Sequence, residues 1–427
     1  MNQQAGYRSG CPAQCLIPHP QSISPTVTKS DSEPRAAEGW TMFEGRRLRP
    51  TTGNVGTPAV LFVDDSYWDC FAQFAVGLRR AGIRAIRVTT RPPLPGSRQF
   101  IFDRTIHLRS LAEFEQLSSL LDGEQLIDVQ SVESLAVPTV RGLRSTDPSS
   151  APRRWDRRAL IVDKPTAARR MQAAGIHVPD IITDPAATPD EIVATLGLPV
   201  VRKLRTGSSG DGVSIIESRH ELESTAPDDG ASSMFFYERF IDGRHIQFAG
   251  IVNADLHNRS VTYETLNRFS TMGPASEIRV LDDTELRKTG TRVAEALDLS
   301  GMVNVNVIRD AEGQDWVHDV NPRIWGSAVS FRLVGIDFLG AYISWLCGVD
   351  SARNETMAPE GTEFQVFPVA YATTRPDESV IQLYGRFARA ARPFADYLGP
   401  TYVLYESVRR IGMGMADTFP LLRRTGH

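Results

Sequence analysis

The feature that most constrains the fold is a succession of strand, helix and strand patterns that begins at residue 59. Ala59 to Val63 is an apolar run of strand length. The apolar residues after it recur at helical spacing up to Gly82: Phe71, Phe74, Ala75 and Leu78. IRAIRVTT is typical of a second strand, and the succession returns in RTIHLRS, LAEFEQLSSLLDG and EQLIDV. Such alternation predicts an α/β fold that begins with a small parallel sheet.

Composition predicts where the domains begin and end. Residues 1–54 are rich in Ser, Pro, Gln, Gly and Thr without an apolar period, so we expect a disordered leader. The first α/β domain is expected over residues 55–150 and should end in the linker RSTDPSSAPRR. A second domain should span 151–350, with a lid at about 198–250. We expect residues 351–427 to form a C-terminal segment that packs on the second domain.

Charge and hydropathy exclude several classes of function. Lysine plus arginine number 47 and aspartate plus glutamate 51, and the resulting net charge of −4 gives little attraction for nucleic acid. No stretch approaches the roughly 18 apolar residues of a membrane helix, and no secretory signal begins the sequence. The four cysteines are too few for a disulfide framework. We therefore expect a cytoplasmic protein that binds neither nucleic acid nor a membrane.

A glycine-rich loop, RTGSSGDGVS, lies between the predicted strands PVVRKLR and GVSIIES. The small residues Ser208, Ser209 and Gly210 leave backbone N–H groups that can close over phosphate oxygens. Lys203 precedes the loop on the incoming strand, where its ammonium can reach the same phosphates. The Walker pattern and the dinucleotide GxGxxG are both absent, and an ordinary glycine-rich hairpin remains the alternative interpretation.

A second constellation is WVHDVNPRIWGS near residue 320. Asp319 and Asn321 alternate to one face of a predicted strand, and Arg323 lies just beyond its end. Side-chain oxygens at this spacing suit Mg²⁺, which takes few protein ligands and leaves positions for phosphates. Asn306, on a strand joined to this one by the turn AEGQ, would add a third oxygen. The alternative is a solvated strand end with a proline turn.

Together these segments resemble the ATP-grasp superfamily, in order, over about residues 160 to 350. Asp163 and Lys164, followed by AAGIHVP, are similar to the first nucleotide lysine of that family and its helix. LPVVRKLRTGSSGDGV resembles the second lysine and the glycine loop, FFYERFIDGRHI the hinge strand, and HDVNPRIWGS the metal-binding strand. Two of only four lysines in the chain thus fall on the expected phosphate positions.

The resemblance implies an ATP-grasp fold behind a Rossmann-like pre-ATP-grasp domain, with ATP and Mg²⁺ as cofactors. It implies phosphate contacts by Lys164, Lys203, Ser208, Ser209 and Gly210. It implies that the nucleoside is bound by Glu238 at the adenine amino group, by the backbone of Arg239, Phe240 and Ile241 at the ring edge, and by His245 at the ribose. It implies metal ligation by Asn306, Asp319 and Asn321, with Arg323 facing the reacting carboxylate or acyl phosphate.

The activity implied by the resemblance is that of a ligase acting on small molecules. A carboxylate would be activated as an acyl phosphate by ATP and then coupled to an amine, giving an amide or peptide bond, as in specialised biosynthesis. A homodimer is compatible with this class. Two alternatives stay open: a bicarbonate-dependent carboxylase or carbamoyl-phosphate-type enzyme, and an ATP-binding protein without turnover. The second rests on departures from the common pattern: Asp319 replaces Glu, neutral Asn306 replaces an acid or Gln, and His245 replaces the ribose acid.

Overall fold

The structure is a computed structural model that describes most of the chain between residues 57 and 398. The described residues are 41–43, 46–48, 57–65, 69–90, 101–144, 154–207, 210, 212–225, 232–252, 259–268, 273–348, 359–367 and 380–398. Ser208 and Ser209 therefore lie outside the described residues. No helix within these ranges combines the length and the apolar character that crossing a membrane requires.

A short antiparallel hairpin precedes the first domain. It pairs β1 (Thr41–Phe43) with β2 (Arg46–Leu48). These two strands lie within residues 1–54, for which the sequence predicted a disordered leader; the leader as a whole stays a prediction. A Glu-Gly dipeptide separates them in the sequence, and a two-residue connection with glycine is a common hairpin signal.

The N-terminal domain is a parallel sheet with helices, as the alternating pattern predicted. Its elements are β3 (Pro58–Asp64), α1 (Asp69–Arg80), β4 (Arg84–Thr89), β5 (Arg104–His107), α2 (Leu117–Leu120), β6 (Gln125–Ser131) and α3 (Glu133–Arg144). The strand order is β5-β4-β3-β6, and all three pairings are parallel. Helix α1 forms where it does because Phe71, Phe74 and Leu78 share one face and are fully buried.

A small antiparallel sheet follows. This region contains α4 (Arg154–Leu160), α5 (Lys164–Ala173), β7 (Ile181–Ile182), α6 (Pro189–Leu196), β8 (Val200–Leu204), β9 (Ser214–Ile216), α7 (Arg219–Ser224) and β10 (Phe235–Arg239). The strand order is β7-β10-β8-β9, and we call this four-stranded sheet with α6 and α7 the lid. This sheet differs from the predicted lid bounds of about 198–250, because β7 and α6 precede residue 198 and β10 ends at Arg239; the domain boundaries stay a prediction.

A six-stranded antiparallel sheet forms the centre of the molecule. Its region contains β11 (Arg244–Val252), β12 (Arg259–Arg268), β13 (Ala275–Leu281), α8 (Thr284–Ala296), β14 (Gly301–Arg309), β15 (Asp315–Asn321), α9 (Phe338–Leu346), β16 (Glu363–Gln365) and α10 (Val380–Leu398). The order is β15-β14-β11-β12-β13-β16. Strand β11 belongs here and not to the lid because it is paired on both sides and buried from Ile246 to Val252.

The two faces of the central sheet have different neighbours. Phe248 and Val305 face a core shared with α5 and α8. Ala249 and Ile251 face the opposite way, into a core that is continuous with the N-terminal sheet and α9. The parallel domain and the central sheet therefore share one apolar core on this second face.

Helix α8 lies unusually close to the central sheet at Gly290. A Cβ at this position would lie 2.1 Å from the ring of Phe248. We expect Gly290→Ala to lower the free energy of unfolding by about 1–3 kcal/mol, since overpacking forces the helix away from the sheet. Gly385→Ala in α10 is the matched control, because among the described residues its Cβ would meet Arg389 alone, at 3.6 Å. Chemical denaturation measures both, and equal stability of the two variants would contradict the packing argument.

Candidate active site

A cavity of about 460 Å³ lies between the lid and the central sheet. It is lined by β8, β10, β11, β12, β14, β15 and the segment after β15. Every described residue that the sequence assigned to the site lines it: Lys164, Lys203, Gly210, Glu238, Arg239, Phe240, Ile241, His245, Asn306, Asp319, Asn321 and Arg323. The structure therefore brings together residues that are separated by up to 159 positions in the chain.

Lys164 is positioned by the start of α5. Asp163 caps the helix by accepting a 3.1 Å hydrogen bond from the N–H of Thr166, and Pro165 suits the first turn. The N–H of Lys164 donates to the carbonyl of Arg205 at 3.0 Å, which joins the helix start to the end of β8. From there the ammonium of Lys164 forms an ion pair with Asp319.

Lys203 lies on β8, next to β10, and forms a buried ion pair with Glu238. Both residues are 6% exposed. The Lys203 ammonium also donates to the backbone carbonyl of His318 at 3.2 Å, which links the lid to β15. Burial raises the pKa of Glu238, and the charge of Lys203 opposes that rise.

The hairpin of β14 and β15 places the predicted metal ligands side by side. Asn306 is directly opposite Asp319, as the sequence predicted, and donates to its Oδ2 at 3.3 Å. Asn321 donates to the same oxygen at 2.9 Å. Burial alone would raise the pKa of Asp319, but the Lys164 charge and its hydrogen bond hold that pKa well below its usual range. Asp319 is therefore a carboxylate at any physiological pH.

A β-bulge at His318 sets this geometry. Val307 is opposite Val317 and Asn306 is opposite Asp319, so one extra residue lies on β15 between the two pairs. Val317 faces the apolar core with α5, whereas Asp319 and Asn321 line the cavity. The bulge thus changes the face on which the following side chains lie.

The donor set fits a magnesium ion that is bound mainly by a ligand. Asp319 supplies one carboxylate, and Asn306 and Asn321 supply amide oxygens once the amides rotate. Mg²⁺ in proteins commonly takes one or two carboxylates and completes its shell with water and phosphate oxygens. Among the described residues, no group of three His, Cys, Asp or Glu side chains is arranged for a metal. The site therefore suits Mg²⁺ that arrives with a nucleotide.

Arg323 is anchored by the N-terminal domain. Its Nε donates to Glu133 at 2.8 Å, and its other nitrogens donate to Asn321 at 3.1 Å and to the carbonyl of Ile324 at 3.0 Å. Arg323 is 5% exposed and Glu133 3%. Next to this pair, Gln130 accepts from the N–H of Ile324 at 2.9 Å. The carboxyl end of β6 thus fixes the segment that follows the metal strand.

The sequence analysis did not identify Glu133 or Gln130. A usable signal existed, since both lie at the carboxyl end of a parallel strand, where α/β sheets place functional side chains. That signal does not indicate a partner some 190 residues later. The contact therefore required the structure.

His245 lines the cavity, as predicted, at the start of β11. Its ring is 6.1 Å from that of His318, in an edge-to-face arrangement. Burial, with the nearby charge of Arg268, lowers the pKa of His245 below its usual value. His245 is therefore expected to be neutral at pH 7, when it can accept as well as donate a hydrogen bond.

A polar network covers the cavity face of the central sheet beyond the predicted residues. Tyr263 donates to Gln247 at 2.6 Å, and Asn304 donates to Gln247 at 3.0 Å and to the Tyr263 hydroxyl at 3.1 Å. Asn306 donates to Asn304 at 3.3 Å, which joins the network to Asp319. Burial raises the pKa of Tyr263 well above its usual value, so its hydroxyl stays protonated.

Comparison with known proteins identifies a domain within this architecture. The family model of the ATP-grasp domain matches residues 161–327. The carbamoyl phosphate synthase large chain of Pyrococcus furiosus is 27% identical over 202 residues, covering 43% of this chain and 19% of that protein. The chain thus spans about a fifth of the length of this curated relative.

Solved structures show the same fold. An N5-carboxyaminoimidazole synthetase from Staphylococcus aureus, complexed with ADP, gives a TM-score of 0.59 at 15% identity, covering 71% of this chain and 80% of that one. An L-amino acid ligase from Bacillus licheniformis gives 0.53 at 18% identity, covering 68% and 74%. The chain therefore contains an ATP-grasp domain over residues 161–327, and the predicted resemblance and the α/β fold class are confirmed.

The contact between Glu133 and Arg323 can be tested without reference to activity. Glu133→Gln leaves a buried guanidinium without its counter-ion, so we expect the free energy of unfolding to fall by about 3 kcal/mol. In the double variant Glu133→Gln/Arg323→Met both charges are gone, and most of that loss should be recovered. Urea denaturation measures the free energy of unfolding of the parent protein and of each variant. A double variant that is no more stable than the single one would show that the pair does not bridge the domains.

Proposed function

We propose that this chain is an ATP-dependent, ADP-forming ligase that activates a carboxylate and joins it to an amine. The observation that supports the proposal is the single cavity in which two lysines, the hinge of β10, a one-carboxylate metal set and Arg323 lie together. Lysines neutralise phosphates, a carboxylate with amides binds Mg²⁺, and a buried arginine orients an acid. Together these parts supply what the activation of a carboxylate by ATP requires.

In the proposed complex the nucleotide lies between the lid and the central sheet. Glu238 and the backbone of residues 239–241 would contact adenine, and His245 would contact the ribose. Lys164 and Lys203 would bind the phosphates, for which both must exchange their present carboxylate partners. Gly210 and Gly212 have φ angles of 82° and 69°, a left-handed backbone conformation that glycine adopts without steric cost. The loop N–H groups would close over the phosphate oxygens.

Mg²⁺, when bound by Asp319, Asn306 and Asn321, supplies positive charge beside the phosphate oxygens. The protein residues account for the other requirements. Lys164, released from Asp319, can approach the transferring phosphoryl group, while Arg323 is fixed in position by Glu133. Because these charges are buried, their interactions with a developing anion are stronger than in water.

The proposed chemistry has two steps. An oxygen of the substrate carboxylate attacks the γ-phosphorus of ATP, the bond to the bridging oxygen breaks, and ADP leaves with an acyl phosphate remaining. The amine then attacks the acyl carbon, loses a proton, and expels inorganic phosphate as the amide forms. In this proposal Arg323 would face the acyl group in both steps. Among similar proteins, one is named as an amino acid ligase and another was solved with ADP, which supports this assignment.

A test of the function measures ADP and phosphate release from Mg·ATP over pooled acids and amines, with mass spectrometry of the product. The ligase proposal requires release that depends on both an acid and an amine, and a product mass that equals their sum minus water. Release with bicarbonate as the only acid would support the carboxylase or carbamoyl-phosphate alternative. Nucleotide binding without any release would support the non-catalytic alternative.

Lys203 provides the first test of the nucleotide assignment. Lys203→Ala should weaken ATP binding and turnover together, each by about tenfold or more, because a hydrogen-bonded charge on the phosphates is lost. Lys288→Ala is the control, since Lys288 is an exposed lysine on α8 that pairs only with Glu285. Isothermal titration with ATP gives the affinity. Unchanged affinity in the Lys203 variant would place the phosphates elsewhere.

The metal strand separates an enzyme from an ATP-binding protein without turnover. Asp319→Ala should reduce Mg²⁺-dependent ADP release by about a thousandfold, since the carboxylate that fixes the metal is lost. Asn306→Asp should lower the Mg²⁺ concentration needed for nucleotide binding, because a second carboxylate joins the set. Arg323→Ala should retain ATP binding but lose about a hundredfold in acyl transfer. An Asp319→Ala protein as active as the parent would refute the ligase proposal.

A further inference from the structure

The positive charges around the cavity are not all accounted for by the nucleotide site. Five lysine and arginine side chains line the cavity: Lys164, Lys203, Arg239, Arg268 and Arg323. Four of them form ion pairs with carboxylates. The pairs are Lys164 with Asp319, Lys203 with Glu238, Arg239 with Asp180 and Arg323 with Glu133. Within the part of the chain that the structure describes, Arg268 has no carboxylate partner.

Arg268 is the last residue of β12 and is partly buried. One of its terminal nitrogens donates to the carbonyl of Gly273 at 3.0 Å. A guanidinium carries five N–H groups, so most of its donors have no partner among the described residues. Burial lowers the pKa of Arg268, which means that the cation is desolvated without a compensating anion. Burial of such a cation costs free energy unless a bound ligand supplies the opposite charge and hydrogen-bond acceptors.

Arg268 lies on a different strand from the metal ligands. In the central sheet β12 is three strands away from β15, and with about 4.8 Å between neighbouring strands their axes are about 14 Å apart, although the Arg268 charge still helps to lower the pKa of His245 and of His318. An anion held at the end of β12 would therefore be a different group from the carboxylate that faces Arg323. The cavity is continuous between the two places, where Gln247 and Tyr263 contribute its polar surface.

The cavity beside this end of β12 also has an apolar wall. Ala275 is opposite Arg268 in the pairing of β12 with β13, and Pro274 precedes it; both line the cavity. Trp325 lines the same cavity, and its ring is held edge-to-face against Phe338, with centroids 5.0 Å apart. A ligand group at Arg268 would therefore meet apolar side chains as well as the guanidinium. This combination suits a carboxylate on a short carbon chain better than a bare inorganic ion.

We propose that Arg268 binds a carboxylate that does not react, so that one of the two ligase substrates carries such a group. That substrate is either a dicarboxylic acid, activated at its other end, or an amino acid that serves as the amine. Both sources present the same planar anion, which an arginine fork binds through two parallel hydrogen bonds. This inference rests on the proposed ligase function.

The first experiment varies the substrate on the unaltered full-length chain. Mg²⁺-dependent ADP release is compared for glutarate and its monomethyl ester as acids, and for L-alanine and L-alaninamide as amines. We expect blocking the non-reacting carboxylate to lower kcat/KM by at least about tenfold in one of these two comparisons, as expected for losing hydrogen bonds to a charged group. The comparison that responds identifies the source. Equal kcat/KM in both comparisons would overturn the proposal.

The second experiment varies the arginine. Arg268→Gln should raise KM for the carboxylate-bearing substrate at least about tenfold and leave KM for ATP within about twofold. Arg268→Lys should give a KM for the carboxylate-bearing substrate between those of the parent and of Arg268→Gln. Arg279→Gln on β13 is the control, since Arg279 forms ion pairs with Glu264 and Glu363 and does not line the cavity. A parallel loss of ATP affinity in Arg268→Gln would assign Arg268 to the nucleotide and overturn the proposal.

A third measurement does not require turnover. Thermal unfolding is followed with saturating Mg·ADP in the presence of glutarate or L-alanine at millimolar concentration. The parent protein should gain Tm with one of these probes and Arg268→Gln should not, whether or not any product forms. Absence of a gain in the parent would overturn the inference. A gain without ADP release in any assay would retain the carboxylate site and reject the ligase function.

Discussion

The ion pair of Arg323 and Glu133 is the contact on which the arrangement of the site depends. It joins the end of the metal strand to the first turn of a helix in the N-terminal domain, and both side chains are almost fully buried. In such surroundings neither charge can be removed alone without leaving the other uncompensated. The orientation of the parallel sheet relative to the central sheet is therefore coupled to the position of Arg323. None of the predicted site residues lies in the N-terminal domain. This domain still belongs to the site, because Glu133 holds Arg323 in position.

The charges in the cavity are balanced within the protein. Lys164 pairs with Asp319 and Lys203 with Glu238, so the groups proposed for phosphate, metal and adenine neutralise one another in pairs. A nucleotide with its metal would exchange partners within each pair without exposing an isolated charge. Such an exchange keeps the desolvation cost of each buried ion compensated before and after binding. Arg268 is outside this exchange, which is the reason for assigning it to a different ligand.

The sequence predicted what depends on local spacing. Strand alternation put Asp319 and Asn321 on one face, and the hairpin put Asn306 beside them; both agree with the structure. Contacts between distant segments could not be predicted. Neither the partner of Glu133 nor the role of Tyr263 has a local signature, and β12, which carries Tyr263 and Arg268, was not predicted at all. The predicted lid range includes β11 for the same reason, because the pairing of β11 with β14 joins residues far apart in sequence.

The bulge at His318 has a consequence for how this chain can change over generations. Side chains on a regular strand alternate between faces, and the extra residue lets both His318 and Asp319 line the cavity while Val317 and Val320 reach the apolar core. A deletion of the His318 codon would restore regular pairing and leave the carboxylate in the cavity, because Asp319 would follow Val317 directly and would still be opposite Asn306. Replacement of His318 by another residue would likewise leave Asp319 opposite Asn306. The face on which the carboxylate lies therefore depends on its pairing with β14 and not on the residue that forms the bulge.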